Sequence, residues 1–172
     1  MALAKSPTPA EVRILRSDAS HGIACVGRTL IVLWQTETRS GAVAELATLL
    51  AGFAAESGSV ALLQVIGDQA IPPEGPVRAA LAAMLKDNET RIIASAVVFE
   101  GVGFRASVIR SIVVGISMLS RPKCPHTVFA SSAAGIEWLN AQLKASGSPG
   151  QSASSMQLAI EQLRQRVRLV SA

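Results

Sequence analysis

The sequence predicts an α/β domain with a single mixed β-sheet that is layered by helices. Three observations support this prediction. Apolar, β-branched runs alternate with helical patterns, two early runs are separated by only two residues, and one later run is apolar throughout. Alternating strands and helices indicate a mostly parallel sheet, whereas the short early connection indicates an antiparallel hairpin. The 172 residues are enough for one such domain with short tails.

The first half of the chain begins with a predicted tail over 1–10, which contains two prolines, and a short edge strand in EVRIL. HGIACVG and TLIVLWQT follow as a hairpin, and Gly27 with Arg28 is its predicted turn. The next segment is predicted to be a helix that Ser40 caps and Gly58 ends. Its apolar residues recur at helical spacing: Leu46, Leu49, Leu50 and Phe53. VALLQVIG then has the composition of a central strand that is covered on both faces.

The second half continues the alternation. DQAIPPEGP is a predicted loop, and Pro76 suits the first turn of the helix PVRAALAAMLKDN. TRIIASAVVFEG is a predicted strand, followed by an apolar helix in FRASVIRSIVVGISMLS that Pro122 stops. CPHTVFA is a short strand, and SSAAGIEWLNAQLKAS is a helix with a serine cap. These elements define one predicted domain over 11–145.

A tethered helix closes the chain. Residues 146–155 are small and polar and predict a flexible linker, and residues 156–172 predict a basic amphipathic helix. Apolar residues separated by four, three, four and three positions form one stripe on this helix: Met156, Ile160, Leu163, Val167 and Val170. An isolated helix of this length is marginal in water, so the stripe needs a surface to cover it. We expect that surface to be another chain, either a different protein or a second copy in a homo-oligomer; packing on its own domain is the alternative.

The order of these elements resembles the SpoIIAA-like members of the STAS superfamily, the fold of the anti-sigma factor antagonists. The resemblance covers about residues 11–145 and depends on the hairpin GIACVGRTLIVLW, the helix after TETRSG, the strands VALLQVIGD and RIIASAVVFEG, and HTVFASSAAGIEWL with its Trp138-Leu139 pair. It implies a non-enzymatic regulatory or scaffolding module whose helix faces contact other proteins. The phosphorylation loop of that family reads IGDQAIPPEG here. Asp68 is retained but no serine or threonine follows, so a serine phosphoswitch is not expected.

Composition limits the function further. The net charge is +4, and the last helix, with Arg164, Arg166 and Arg168, supplies much of it. Only six aromatic residues are present, which is unfavourable for stacking on single-stranded nucleic acid. We therefore expect protein partners rather than nucleic acid. No apolar run predicts a signal peptide or a membrane span, and two distant cysteines predict no disulfide framework, so we expect a cytoplasmic protein without a cofactor.

Three patterns suggest chemistry. Gly101, Gly103 and Ala106 match the dinucleotide spacing G-x-G-x-x-A. The acidic residue expected about 20 positions later is missing, and Glu100 would repel phosphate, so we expect a turn that starts a core helix. His21 with Cys25, and Cys124 with His126, have the ligand types of a Cys₂His₂ zinc site. Either cysteine with a histidine could instead form a nucleophile–base pair. We expect buried thiols and loop-edge histidines instead, with no metal and no catalysis.

Two functions are favoured over a third, an enzyme. The first is a regulatory module that binds proteins, with candidate contact residues Asp68, Phe104 and Arg105 and the stripe of the last helix. The second is a carrier of a small apolar ligand or lipid in a cleft between the helices at 41–56 and 104–119. An exposed apolar patch would favour the module, and an enclosed apolar pocket would favour the carrier.

Overall fold

One mixed β-sheet of six strands forms the centre of the protein. The structure, a computed structural model, describes residues 11–171; the predicted tail over 1–10 lies outside them. The strands lie in the sheet in chain order: β1 (Val12–Ser17), β2 (His21–Val26), β3 (Thr29–Trp34), β4 (Val60–Ile66), β5 (Ile92–Phe99) and β6 (His126–Phe129). The first three are antiparallel, and β3 to β6 are parallel. The predicted fold class is confirmed, including the two-residue turn at Gly27 and Arg28.

The helices cover the sheet on both faces. They are α1 (Ser40–Ser57), α2 (Gly75–Asp87), α3 (Gly103–Ser120), α4 (Ser132–Ala145) and α5 (Ala153–Ser171). The three parallel crossovers all advance in one direction across the sheet, and such connections share one hand. They therefore place α1, α2 and α3 side by side on one face, with α2 in the middle. The other face is covered by α4 and α5.

The alternation of side chains along each strand divides the core into two layers. Leu62 of β4 faces the layer beneath α1 and α2, whereas Leu63 faces the layer beneath α4 and α5. Both side chains are fully buried, as predicted for a central strand covered on both faces. Ser131 caps α4 by accepting a hydrogen bond from the Ala134 amide, as predicted. The predicted Ser40 cap is wrong, because Ser40 is already the first residue of α1 and its N-cap is Arg39.

The apolar stripe of α5 lies on the chain's own sheet. Met156, Ile160, Leu163 and Val167 have no exposed surface and belong to the core layer that contains β1 to β3. The prediction that these four residues contact another chain is therefore wrong. The stripe is covered by the chain's own sheet, at the antiparallel end that α4 leaves uncovered. Val170, the fifth member, is 58% exposed.

The connection before α5 is held in place rather than loose. Gln151 donates its amide N–H to Asn140 Oδ1 at 2.7 Å, and Asn140 Nδ2 donates to the Gln151 carbonyl at 2.9 Å. Arg28 Nη1 donates to Ser148 Oγ at 2.9 Å, which ties the connection to the hairpin turn. The helix also begins at Ala153, within the predicted linker of 146–155. Small polar residues predicted flexibility here, but their side chains and amides are paired.

Candidate functional site

The outward side of α3 exposes large apolar side chains. Over residues 11–171, five of the nine exposed large hydrophobic side chains lie on α3 or directly before it. They are Val102 (90% exposed), Phe104 (86%), Val114 (49%), Met118 (70%) and Leu119 (67%). Single exposed apolar residues are ordinary, but five of them concentrated on and directly before one helix indicate an interaction surface.

Helical periodicity explains why this face is uncharged. At 100° per residue, Phe104, Ser107, Ser111, Gly115 and Met118 fall on one outward strip, and none of them is charged. The arginines of α3 lie on its flanks. Among the described helices, α3 is also the one long and apolar enough to span a membrane, with 28% of it buried. Core helices of soluble proteins share that length and composition, so the property by itself decides nothing.

A shallow groove runs along the α2 side of this face, which we call the α3 groove. Its lining includes the apolar side chains of Phe104, Val108, Ile112, Met118 and Leu119, the small residues Ser107, Ser111 and Gly115, and the exposed arginines Arg78 and Arg121. A side chain added at Gly115 would meet no atom within 4 Å. The groove is therefore open at Gly115 and has room there for side chains from outside.

A small apolar cavity lies beneath the same helix, between α2, α3 and the sheet. Its volume is about 70 Å³, and its walls include Leu81, Leu85, Ile109, Val113 and Ile116. Ligand pockets have volumes of roughly 300 to 1,000 Å³, so this cavity holds only a very small molecule as it stands. The expected cleft between α1 and α3 is replaced by one between α2 and α3, because α2 lies between the other two helices.

Five side chains with polar atoms line the cavity among the apolar ones: Trp34, Thr38, Gln64, Ser117 and His126. Trp34 Nε1 donates to Gln64 Oε1 at 3.1 Å, and both residues are buried. His126 Nε2 lies 2.7 Å from Ser117 Oγ, while its Nδ1 is buried without a hydrogen-bond partner among residues 11–171. Burial lowers the pKa of His126 below its usual value of 6.5, because the charged ring would lose water.

This histidine gives a pH prediction. In the window below pH 6.5 the unfolded chain binds a proton at His126 that the folded chain resists, so stability falls as the pH falls. We expect denaturant unfolding to show a smaller loss between about pH 7.5 and about pH 5.5 in His126→Gln than in the wild type. Equal pH slopes in the two proteins would contradict a folded state that resists protonation of this ring.

Asp68 lies in a polar cleft at the carboxyl ends of the parallel strands. Gln35, after β3, donates from Nε2 to Asp68 Oδ1 at 3.0 Å, and Asp68 is exposed. The loop after β4 is also tied to α3, because Arg105 Nη2 donates to the Ala70 carbonyl at 2.5 Å. Arg105 thus positions the loop that carries Asp68, while Phe104 beside it faces solvent. The structure brings these three predicted contact residues to one end of the domain.

Glu100, which follows β5, joins α4 and α5 at this cleft. Its Oε1 accepts hydrogen bonds from the Ser132 amide and hydroxyl at the start of α4, and its Oε2 accepts one from Arg164 Nη2 at 3.0 Å. Partial burial raises the pKa of Glu100, but these bonds and the Arg164 charge outweigh it and hold the pKa below 4.5. Arg164 is also paired with Glu161 at 2.8 Å.

We expect Glu100→Ala to destabilise the protein by about 1–2 kcal/mol at neutral pH, because the first turn of α4 loses an acceptor and α5 loses its ion pair. Since the folded pKa is lowered, the difference from wild type should shrink as the pH falls below 4.5. Urea unfolding of the variant and the wild type, at neutral pH and at a pH below 4.5, measures the difference in stability. Glu137→Ala, at an exposed α4 position, is the control, and equal effects of the two variants would contradict the assignment.

The G-x-G-x-x-A stretch has a local structural explanation. Gly103 starts α3 with φ at 78°, a conformation that favours glycine. A side chain at Gly101 would lie 2.4 Å from the Phe99 ring. Both glycines are therefore required by the turn itself, and Glu100 beside them is committed to Ser132 and Arg164. That no nucleotide binds here remains a prediction.

The cysteine and histidine pairs lie far apart. His21 and Cys25 are on β2, and Cys124 and His126 are at β6, with three strands between. Within 11–171, no three His, Cys, Asp or Glu side chains are grouped to hold a metal. Both thiols are free, and burial raises the pKa of Cys25 and of Cys124, which disfavours the nucleophilic thiolate. His21 instead stacks on Trp34, with ring centroids 5.6 Å apart.

Sequence reasoning missed several residues of these sites. Val102 and Met118 were not singled out, although helical spacing from Phe104 places Met118 on the same face. The Trp34–Gln64 pair could have been suspected, because a glutamine within an apolar strand needs a buried partner. The Glu100–Arg164 pair joins residues 64 positions apart, which no local pattern reveals.

Comparisons with known proteins add no family assignment at this point. No protein-family model, curated protein or solved structure matches this chain. What the site does must therefore be argued from its geometry.

Proposed function

We propose that this protein is a non-enzymatic regulatory or scaffolding module that binds another protein through the outward face of α3. The observation that carries the proposal is the set of exposed apolar side chains at the two ends of α3, on a helix whose opposite side is anchored in the core: Val102 and Phe104 at its start, and Val114, Met118 and Leu119 towards its end. Burying these side chains in an interface is favourable, at roughly 25 cal/mol per Å² of apolar surface. A location in the cytoplasm is part of the same proposal.

The order of elements supports a STAS-like role within this proposal. The resemblance to the SpoIIAA-like proteins depends on the opening hairpin, the helix after it, the two strands that became β4 and β5, and the closing strand–helix pair, and these occur in the same order as β2 and β3, α1, β4, β5, and β6 with α4. The helix faces are where that resemblance implies partner contacts. Because the α5 stripe is buried, we assign the contact to α3, and an oligomer contact at the exposed end of α5 remains a prediction.

Site-specific crosslinking tests the proposed function. A photoreactive phenylalanine analogue replaces Phe104, and in a control protein it replaces Glu137, an exposed residue of α4 on the other face of the sheet. After illumination in an extract of the source cells, we expect a discrete protein adduct at position 104 that is missing at position 137. The same adducts at both positions, or none at either, would contradict the proposal.

The cavity favours a second candidate function, the binding of a small apolar ligand. Its lining is nearly all apolar, with Gln64 and His126 as the polar groups that would orient a ligand. Native mass spectrometry of the purified protein would show a retained molecule. Val113→Phe should fill the space and prevent retention, since Val113 lines the cavity and is 8% exposed. If the retained molecule also displaced the partner protein from α3, a carrier of a small ligand would be favoured over a protein-binding module.

A further inference from the structure

The α3 groove has a distinctive charge pattern. Residues 101–124 contain four basic residues and no acidic one. Lys123 is paired with Glu89 at 3.2 Å, and Arg105 is bonded to the Ala70 carbonyl. Arg78 and Arg121, the two arginines at the border of the groove, have no acidic partner among residues 11–171. The apolar groove is therefore bordered by unpaired positive charge.

Two features of the groove carry a stability cost that no neighbour among residues 11–171 explains. Gly115 lies inside a helix, where glycine is less stable than alanine by roughly 0.5–1 kcal/mol, yet an added side chain would meet nothing. Arg121 adopts the left-handed conformation at the end of α3, with φ at 40°, where glycine is favoured. Gly115 leaves open space in the groove, and Arg121 is one of the two arginines that line it.

We propose that the α3 groove binds an amphipathic helix of the partner protein, whose apolar stripe is bordered by aspartate and glutamate. This rests on the proposed function and specifies the partner. The stripe would lie over Ser107, Ser111 and Gly115, where small side chains let two helices approach closely. The carboxylates would pair with Arg78 and Arg121, which gives specificity and speeds association.

Other occupants fit this surface less well. A second copy packed through α3 would bring its own arginines and no carboxylate to the interface, so like charges would oppose it. A bilayer surface is bound best by bulky apolar side chains, but the middle of this face is serine and glycine. Charge and shape together favour an acidic helix.

A display library of helical peptides with randomised positions tests the proposal on the full-length protein. We expect wild-type protein to select peptides with an apolar stripe bordered by Asp and Glu, and Gly115→Trp to lose at least about tenfold in affinity for them. Arg78→Glu with Arg121→Glu should select peptides bordered by Lys and Arg instead. Gly115→Ala is the control for folding: it should be at least as thermally stable as the wild type, because alanine favours the helix and its methyl group meets no atom, and it should still bind peptides.

Each contrary result has a distinct meaning. Selected peptides that bind Gly115→Trp more weakly than the wild type but are not enriched in Asp and Glu would overturn the acidic-helix proposal. They would leave α3 as the binding face. Both proposals would be overturned if the selected peptides bound Gly115→Trp as tightly as the wild type. They would also be overturned if selection on the wild type enriched no peptide over selection on that variant. Flotation of wild-type protein, but not of Phe104→Ser, with phosphatidylglycerol vesicles would replace the helix by a membrane surface.

Discussion

A chain that ends at Ala145 is expected to lose cooperative folding, because α5 supplies part of the core. Met156, Ile160, Leu163 and Val167 are fully buried on the sheet. Burying a side chain of this size contributes about 1.5–3 kcal/mol, so the four together are comparable to the roughly 5–15 kcal/mol of a whole domain. Thermal unfolding followed by circular dichroism measures the loss.

A single substitution gives the same test within the intact chain. We expect Leu163→Ala to destabilise the protein by about 2–5 kcal/mol, since it removes buried methyl groups and leaves a cavity. Leu169→Ala, on the same helix at 77% exposure, is the matched control and should stay within about 0.5 kcal/mol of wild type. A truncated chain that melts cooperatively within a few degrees of the full chain would show that α5 does not stabilise the domain.

The second large effect concerns binding rather than stability. Phe104→Ser combined with Met118→Ser should weaken the complex with the crosslinked partner at least about tenfold, because both side chains lose apolar contact area. The melting temperature should hardly change, since these side chains are 86% and 70% exposed. Calorimetric titration gives the affinity, and a melting curve gives the stability.

The matched control uses exposed apolar residues elsewhere. Leu158 and Leu169 of α5 are 52% and 77% exposed, so Leu158→Ser with Leu169→Ser removes a comparable apolar surface from the opposite face of the sheet. We expect this variant to bind like the wild type. Loss of affinity in the α5 variant, with none in the α3 variant, would return the partner contact to the C-terminal helix.

The sheet could be predicted from sequence because its signals are local. The two-residue turn at Gly27, the apolar β4 run and the proline at the start of α2 each specify one element through its own residues. Alternation of strands and helices then gave the parallel arrangement. The stripe of α5 was also visible, but periodicity shows that a helix needs a cover and cannot tell which surface provides it.

The candidate site was predicted only in part for the same reason. Phe104 and Arg105 were among the predicted contact residues, and they do lie at one end of the site. The neighbours of α3 depend on the side-by-side order of three crossover helices, so the cleft was expected against α1 instead of α2. The linker was expected to be loose because its composition is polar, whereas Asn140 and Arg28, distant in sequence, hold it.

Hydrogen exchange of the complex tests the central claim most directly. The partner identified by crosslinking is added to the unmodified protein, with no crosslinker present. We predict slower amide exchange over 103–120, the span of α3, and unchanged exchange over 153–171, the span of α5. The comparison needs no substitution, so it locates the interface in the native chain. Protection of α5 with none in α3 would contradict the account.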